Sequence, residues 1–75
     1  MDYNKFITRN PSIMLGRPVI KGTRITVELI MRKLAGGFTI DDLLTSYPHI
    51  RKDQIFAALE YAADLIANDE VIEMA

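Results

Sequence analysis

The spacing of apolar residues divides the chain into two parts near residue 26. Before that point, apolar residues come in short groups separated by polar residues and turn formers; beyond it, they recur every three or four residues. The first part predicts a β-hairpin or small meander through residues 4–25, with a strand at 4–9, a turn at Asn10-Pro11-Ser12 and a positive φ at Gly22. The second part predicts helices.

Two short helices are predicted in the middle of the chain from the signals at their ends. The first covers residues 27–35, with Thr26 as its N-cap and a glycine pair after its end. The second covers residues 40–46, because Thr39 begins a capping-box pattern and Tyr47-Pro48 disfavours helical backbone.

The third predicted helix is the longest, beginning near Lys52 and fading after Ala67. Its apolar residues follow helical spacing and are expected to form one broad stripe, with acidic residues on the polar face. The residues assigned to the stripe are Ile55, Phe56, Leu59, Ala62, Ala63 and Ile66.

This order of elements predicts an α+β protein, mainly α, with a short N-terminal β-hairpin region followed by a three-helix helix-turn-helix unit of homeodomain-like type. All 75 residues are assigned to one domain, since a chain of this length forms one core at most. Residues 1–26 are assigned to the β region, 27–67 to the three-helix unit and 68–75 to an acidic tail.

Composition adds expectations about assembly and location. The chain is 49% apolar but has no cysteine for a disulfide and a single histidine, too few for a usual zinc site. A small core without a disulfide or a metal site favours association. A homodimer is therefore predicted, with residues 4–25 contributing to the interface. No apolar run approaches the roughly 18 residues of a membrane span, and no apolar leader is present. A cytoplasmic location without membrane contact is therefore expected.

Charge is divided unequally between the two ends of the chain. Residues 1–52 hold all nine Lys and Arg against four acids, a net charge of +5, whereas residues 53–75 hold six acids and no basic residue. Such a division is typical of a protein with two partners, one anionic and one basic or apolar. A polarised surface that faces only solvent gives the same pattern.

Several short motifs are distributed over residues 5–66. They are Asn10-Pro11, Gly16-Arg17-Pro18-Val19-Ile20-Lys21-Gly22-Thr23-Arg24-Ile25, Gly36-Gly37-Phe38-Thr39, Tyr47-Pro48-His49, Ile55 with Ala57-Ala58-Leu59, and Tyr61-Ala62. Together they resemble the domain-of-unknown-function family 433, and the combination of the Gly-Thr-Arg-Ile segment with the later Tyr-Pro pair carries most of the similarity.

Two positions depart from the pattern of that family. The family often has two glycines before the Pro-Val-Ile segment, where this chain has Leu15-Gly16. It commonly caps the third helix with Thr or Ser, where this chain has Arg51. Because the Arg51 side chain has no hydrogen-bond acceptor, the start of the third helix is expected to fray, and loss of such a cap costs about 1 kcal/mol.

The resemblance implies an antitoxin of a toxin–antitoxin pair. Such a protein would bind and neutralise a cognate toxin, expected to be a PIN-like ribonuclease, and repress its own operon by binding operator DNA. The alternative is a protein-interaction module with a helix-turn-helix fold that does not bind DNA. A continuous basic face would favour DNA binding, whereas basic residues paired with acids would favour the interaction module.

DNA contacts, if they are made, are expected from the basic half of the chain, because its cations can reach phosphates and base edges. The acids farther along the third helix would be repelled by DNA. For one of the basic residues, Arg24, a structural role is favoured, in which it bridges strand carbonyls or the Glu28 carboxylate. The candidate DNA-binding residues are Arg17, Lys21, Arg24, Arg51, Lys52 and Gln54.

Toxin contacts are assigned to the acidic C-terminal part of the chain. A segment that is both acidic and apolar can cover a basic nucleic-acid-binding groove by charge complementarity. The candidate toxin-binding residues are Glu60, Asp64, Val71, Ile72 and Met74.

No catalytic, cofactor-binding or metal-binding constellation is found in the sequence. His49 has no evident nucleophile or orienting partner and is expected to be a turn residue hydrogen-bonded to backbone. Phosphate-binding loops, dinucleotide fingerprints and paired-histidine zinc motifs are missing from the sequence. We therefore expect a protein that is not an enzyme and binds neither cofactor nor metal.

Overall fold

A computed structural model describes the backbone of residues 2–70 and the side chains of residues 2–68. It contains a two-stranded antiparallel hairpin followed by three helices, which confirms the predicted α+β, mainly α fold. Short 3-10 helices at Tyr3–Lys5 and Met14–Gly16 precede and separate the strands. The regular elements are β1 (Ile7–Thr8), β2 (Val19–Ile20), α1 (Val27–Ala35), α2 (Ile40–Ser46) and α3 (Lys52–Glu70).

The β region is smaller than the apolar pattern predicts. In the hairpin, Ile7 lies opposite Ile20 and Thr8 opposite Val19. The prediction of a strand over residues 4–9 is wrong in its first half, because the segment before β1 forms a 3-10 helix. The side chain of Asp2 caps that helix by accepting a hydrogen bond from a backbone N–H at 3.1 Å.

The turn after β2 is closed by backbone hydrogen bonds and by one side chain. Gly22 adopts φ 78°, a positive value as predicted. The Thr23 hydroxyl donates a hydrogen bond to the Ile20 carbonyl at 2.8 Å and accepts one from the Ile25 N–H at 3.0 Å. This hydroxyl therefore bridges the two sides of the turn and fixes the residues that follow it.

Leu15 has a backbone conformation that is unfavourable for its side chain. Its φ of 58° and ψ of 31° lie in the left-handed region, which costs a residue with a Cβ atom roughly 1–2 kcal/mol. The side chain is 89% exposed, so burial offsets little of this cost. A glycine at this position would adopt the same backbone without that strain.

The caps of α1 and α2 match the sequence prediction, and so do the bounds of both helices. The Thr26 hydroxyl accepts a hydrogen bond from the Leu29 N–H at 3.0 Å. Thr39 and Asp42 form a reciprocal capping box, with two bonds of 2.9 and 3.0 Å between side chain and backbone. Local hydrogen bonds thus determine where both helices begin.

The core lies between the hairpin and the three helices. Its largest fully buried side chains come from β2 and from every helix, and they are Ile20, Ile30, Leu43, Ile55 and Val19. From α3, the buried Ala57, Ala58 and Ala62 add little bulk, which allows close packing of α3 against α1 and β1. No helix within residues 2–70 combines the length and apolar character needed to cross a bilayer.

Helix α3 differs from the prediction in two ways. It continues to Glu70 and does not fade after Ala67. The predicted single stripe is also divided: Ile55 and Ala62 are buried, but Phe56, Ala63 and Ile66 are exposed. The reason is that the hairpin, α1 and α2 are all short and cover only one side of the long helix.

Candidate functional site

Two turns far apart in the sequence form an open cleft of about 710 Å³. One is the turn after β2 and the other is the Tyr47-Pro48-His49 connection between α2 and α3. Binding pockets for small ligands usually have volumes of about 300–1,000 Å³. The cleft combines an apolar surface with a few polar groups, and its lining residues are Ile13, Gly22, Thr23, Arg24, Ile25, Leu29, Tyr47 and His49.

The second turn is held by backbone hydrogen bonds on both sides of His49. The Tyr47 N–H donates to the Leu43 carbonyl at 2.9 Å, and the Ile50 N–H donates to the Tyr47 carbonyl at 3.1 Å. Ile50 is buried and anchors the turn to the core. His49 is exposed and lies in a turn as predicted, but within the described residues its ring makes no hydrogen bond to backbone and lines the cleft instead.

One predicted DNA-binding residue, Arg17, is part of a charge cluster around Glu28. The Arg32 Nε lies 2.9 Å from one Glu28 carboxylate oxygen, and an Arg17 Nη lies 3.8 Å from the other. The hydrogen bond from Arg32 is the main reason that the pKa of Glu28 is lowered, and Arg17 adds to the effect. The predicted bridge from Arg24 to Glu28 is therefore wrong, because other guanidinium groups hold this carboxylate.

Lys21 and Arg24 carry exposed side chains on the turn after β2. The backbone of Lys21 is fixed by a hydrogen bond from its N–H to the Phe6 carbonyl at 2.7 Å. Within the part of the chain that the structure describes, neither side chain forms an ion pair. Both cations are therefore available to an anionic partner, and Arg24 itself lines the cleft.

Most predicted contact residues at the start of α3 are engaged locally. The Arg51 Nε lies 3.2 Å from an Asp53 carboxylate oxygen. The Gln54 side-chain oxygen accepts a hydrogen bond from the Arg51 N–H at 2.6 Å, which is half of a capping box. Gln54 is therefore a weaker candidate for DNA contact than the sequence predicts, since its side-chain oxygen is already used to stabilise the helix start. Lys52 is exposed and forms no ion pair among the described residues.

The predicted basic residues do not form a continuous basic face. Arg24 lines the cleft together with His49, Lys21 precedes the lining residue Gly22, and Lys52 follows His49 closely in the sequence; these three cations are called here the rim of the cleft. Arg17 and Arg51 are each paired with an acid. The rim can hold an anionic group, but with fewer free cations than the sequence predicts.

The acidic side of α3 lies next to the N-terminal 3-10 helix. Tyr3 and Tyr61 pack edge to face, and the guanidinium carbon of Arg9 lies 5.8 Å from the Tyr61 ring centroid. Hydrogen bonding to the Asp64 carboxylate is the largest cause of the raised pKa of Tyr3. Glu60 is exposed on the same helix. The other predicted toxin-binding residues, Val71, Ile72 and Met74, lie outside the described residues.

The cleft itself is the feature that sequence reasoning missed. Thr23, Tyr47 and His49 are not among the predicted binding residues, although the cleft contains all of them. A signal was present, because the two motif segments on which the family resemblance rests, around Gly22 and around Tyr47, supply its two sides. Their proximity depends on the packing of β2 against the helices and is not visible as a local pattern.

The short antiparallel hairpin and the three helices that follow it define a small α+β protein, mainly α. The family model described as "Protein of unknown function (DUF433)" matches residues 7–62, and the chain belongs to this family. The resemblance seen in the motifs is thereby confirmed.

Two relatives show what the chain is similar to. It is 31% identical over 58 residues to the Uncharacterized protein y4eO of Sinorhizobium fredii (strain NBRC 101917 / NGR234), which corresponds to 77% of this chain and 26% of that protein. The chain thus spans about a quarter of this relative's length. The crystal structure of a DUF433 member from Anabaena variabilis ATCC 29413 is similar with a TM-score of 0.76 and 28% identity, covering 91% of this chain and 64% of that chain.

Proposed function

We propose that this protein is a cytoplasmic antitoxin that catalyses no reaction and neutralises a toxin by binding it through the acidic side of α3. The observation that carries the proposal is the charge of that helix. After its first residue, Lys52, the described part of α3 carries only acidic charges, including the exposed Asp53, Glu60 and Asp64. An acidic helix repels a nucleic acid and attracts a basic protein surface.

A PIN-like ribonuclease fits this surface by its chemistry. An enzyme that binds RNA presents a basic groove to the phosphates of its substrate. Glu60 is exposed and can pair with cations of such a groove, whereas Asp64 is also engaged with Tyr3. Binding of the antitoxin would then exclude RNA by occupying the same groove.

The test is co-purification with the product of the adjacent reading frame, followed by a ribonuclease assay with increasing amounts of this protein. Glu60→Lys is expected to weaken inhibition at least tenfold. Asp41→Lys is the matched control, because it makes the same charge change at an exposed acid on α2. Equal loss of inhibition by the two variants would contradict the proposal, and so would an adjacent product that does not bind.

Repression of the protein's own operon is a second candidate function. It rests on the three cations of the rim alone, because the pairing of Arg17 and Arg51 with acids interrupts the basic face and favours the interaction-module alternative. Lys21, Arg24 and Lys52 are exposed, and in residues 2–68 none of them is paired with an acid. Three free cations per subunit can contact operator phosphates. If the rim does not bind DNA, the protein is an interaction module with a helix-turn-helix fold.

A further inference from the structure

The outer side of α3 carries an apolar seam formed by Phe56, Leu59, Ala63 and Ile66. Phe56 is 42% exposed and Ile66 is 52% exposed. Between them lie Leu59, which is half-buried against the core, and the exposed Ala63. Spacings of three, four and three residues place all four along one side of a helix, as in the contact face of a coiled coil.

The order of residues in the seam is self-complementary. The four positions are symmetric about residue 61, so two copies related by a two-fold axis can pair with their α3 helices antiparallel. Phe56 then lies opposite the partner's Ile66, and Leu59 lies opposite the partner's Ala63. A large side chain facing a small one fills the space near the axis without a cavity. A two-fold interface of this kind uses the same patch on both subunits.

Charge favours the antiparallel orientation over the parallel one. Lys52 lies on the same side of the helix as the seam, at its N-terminal end; Asp53 and Glu60 lie in the first half of α3 and Asp64 lies in the second half. Antiparallel pairing brings Lys52 toward Asp64 of the partner subunit and opposes the two helix dipoles. Parallel pairing would place Lys52 next to Lys52 of the partner subunit and would align the two helix dipoles.

We propose that this seam binds a second copy of the same chain, with α3 packed antiparallel against α3. This places the interface of the predicted homodimer on the outer face of α3, whereas the sequence predicts a contribution from residues 4–25. From Phe56 to Ile66 the seam is about 15 Å long at 1.5 Å per residue. A seam of that length buries less than the roughly 800 Å² per partner of stable complexes. We therefore expect a weak dimer that dissociates on dilution.

Sedimentation of the full chain tests the interface with two neighbouring residues of similar exposure. Ile66 belongs to the seam, whereas Leu65, which is 46% exposed, points to the opposite side of α3. Ile66→Glu is expected to weaken the dimer at least tenfold, and Leu65→Glu less than twofold. Circular dichroism checks that both variants remain helical. A wild-type monomer at several hundred micromolar, or equal effects of the two substitutions, would overturn the proposal.

A substitution of Glu60 tests the same interface and is expected to strengthen the dimer. It flanks the seam close to residue 61, so the two copies of Glu60 approach each other across the axis and repel. Glu60→Gln should therefore tighten the dimer, by about two- to fivefold, and the gain should shrink at high salt. A weaker dimer on this substitution would contradict the geometry.

Cysteine cross-linking tests orientation, because the chain has no cysteine of its own. Phe56→Cys and Ile66→Cys variants are prepared separately and then oxidised alone or as an equal mixture. Antiparallel pairing predicts that the mixed disulfide forms faster than either disulfide between identical variants. Faster bridging between identical variants would indicate parallel helices and overturn the proposed arrangement.

Discussion

Tyr3 packs edge to face against Tyr61, with ring centroids 5.4 Å apart and ring planes at 81°. Aromatic pairs of this geometry contribute about 0.5–1.5 kcal/mol beyond the area that they bury. The contact fastens the N-terminal 3-10 helix to α3. Asp64 lies beside the same tyrosine and makes the contact sensitive to pH.

The first prediction is a loss of stability at high pH that depends on Tyr3. Hydrogen bonding to Asp64 raises the pKa of Tyr3 above its usual 10.0. The folded state therefore favours the protonated phenol, and its contribution to stability is full below pH 10 and is lost as pH rises through the raised pKa. Urea denaturation across that range should show a smaller loss for Tyr3→Phe than for wild type. Asp64→Asn should reduce the same pH dependence, and no effect of either substitution would refute this account.

The second prediction is that Leu15→Gly stabilises the protein. Relief of the left-handed strain raises the free energy of unfolding by roughly 1–2 kcal/mol. The greater freedom of glycine in the unfolded chain lowers it by about 0.5–1 kcal/mol. A net gain of about 0.5–1 kcal/mol in the free energy of unfolding is expected from these terms. Leu15→Ala is the control, because it removes the exposed side chain but keeps the Cβ atom. An equal gain from alanine would show that strain is not the cause.

The third prediction concerns the cap of α1. Thr26 is 8% exposed and its hydroxyl accepts the Leu29 N–H. Thr26→Ala should lower the free energy of unfolding by about 1 kcal/mol through loss of the cap. Thr26→Ser removes the methyl group but keeps the acceptor, so the difference between the two variants isolates the hydrogen bond. Denaturation curves that coincide for serine and alanine would contradict this role.

The fourth prediction is a graded effect of basic residues on DNA binding. Each phosphate contact contributes about −0.9 to the slope of log affinity against log salt. Lys21→Ala and Lys52→Ala should each flatten the slope by about 2 for a dimer. Arg51→Ala should change it less, because Asp53 already holds that guanidinium.

The measurement is a salt titration with the protein's own promoter fragment and a scrambled fragment. Gln54→Ala should lower the helical content at the start of α3 and leave sequence preference unchanged, since its oxygen bonds the Arg51 N–H. If the three basic substitutions have equal effects, the ion pair at Arg51 does not persist in solution. If neither lysine matters, the rim of the cleft is not the DNA-binding surface.

Sequence reasoning succeeds where a structure is made by residues close together in the chain. The caps at Thr26 and at Thr39 with Asp42 each join groups three residues apart. For that reason the bounds of α1 and α2 follow from the sequence alone. Gly22 is another example, because a single residue determines the positive φ of the turn.

Features that depend on distant residues are not visible in the same way. Helical spacing places both Ile55 and Phe56 on the apolar stripe of α3, but it does not show which of the two side chains another element covers. The pairing of Arg17 with Glu28 and the meeting of Arg24 with His49 both require the assembled fold. Helix α3 also outlasts its predicted end, since Asn68 breaks helices only weakly.

The hydroxyl of Thr23 and the backbone hydrogen bonds of its turn hold one side of the cleft in place. Ordering a mobile side chain on binding costs about 0.5–1.5 kcal/mol. The turn that contains Thr23 is already held by hydrogen bonds and avoids that cost. Ligands that enter the cleft would therefore differ in affinity mainly through their own contacts with Arg24, Tyr47 and His49. Association would proceed as docking to a preorganised surface, without a folding step.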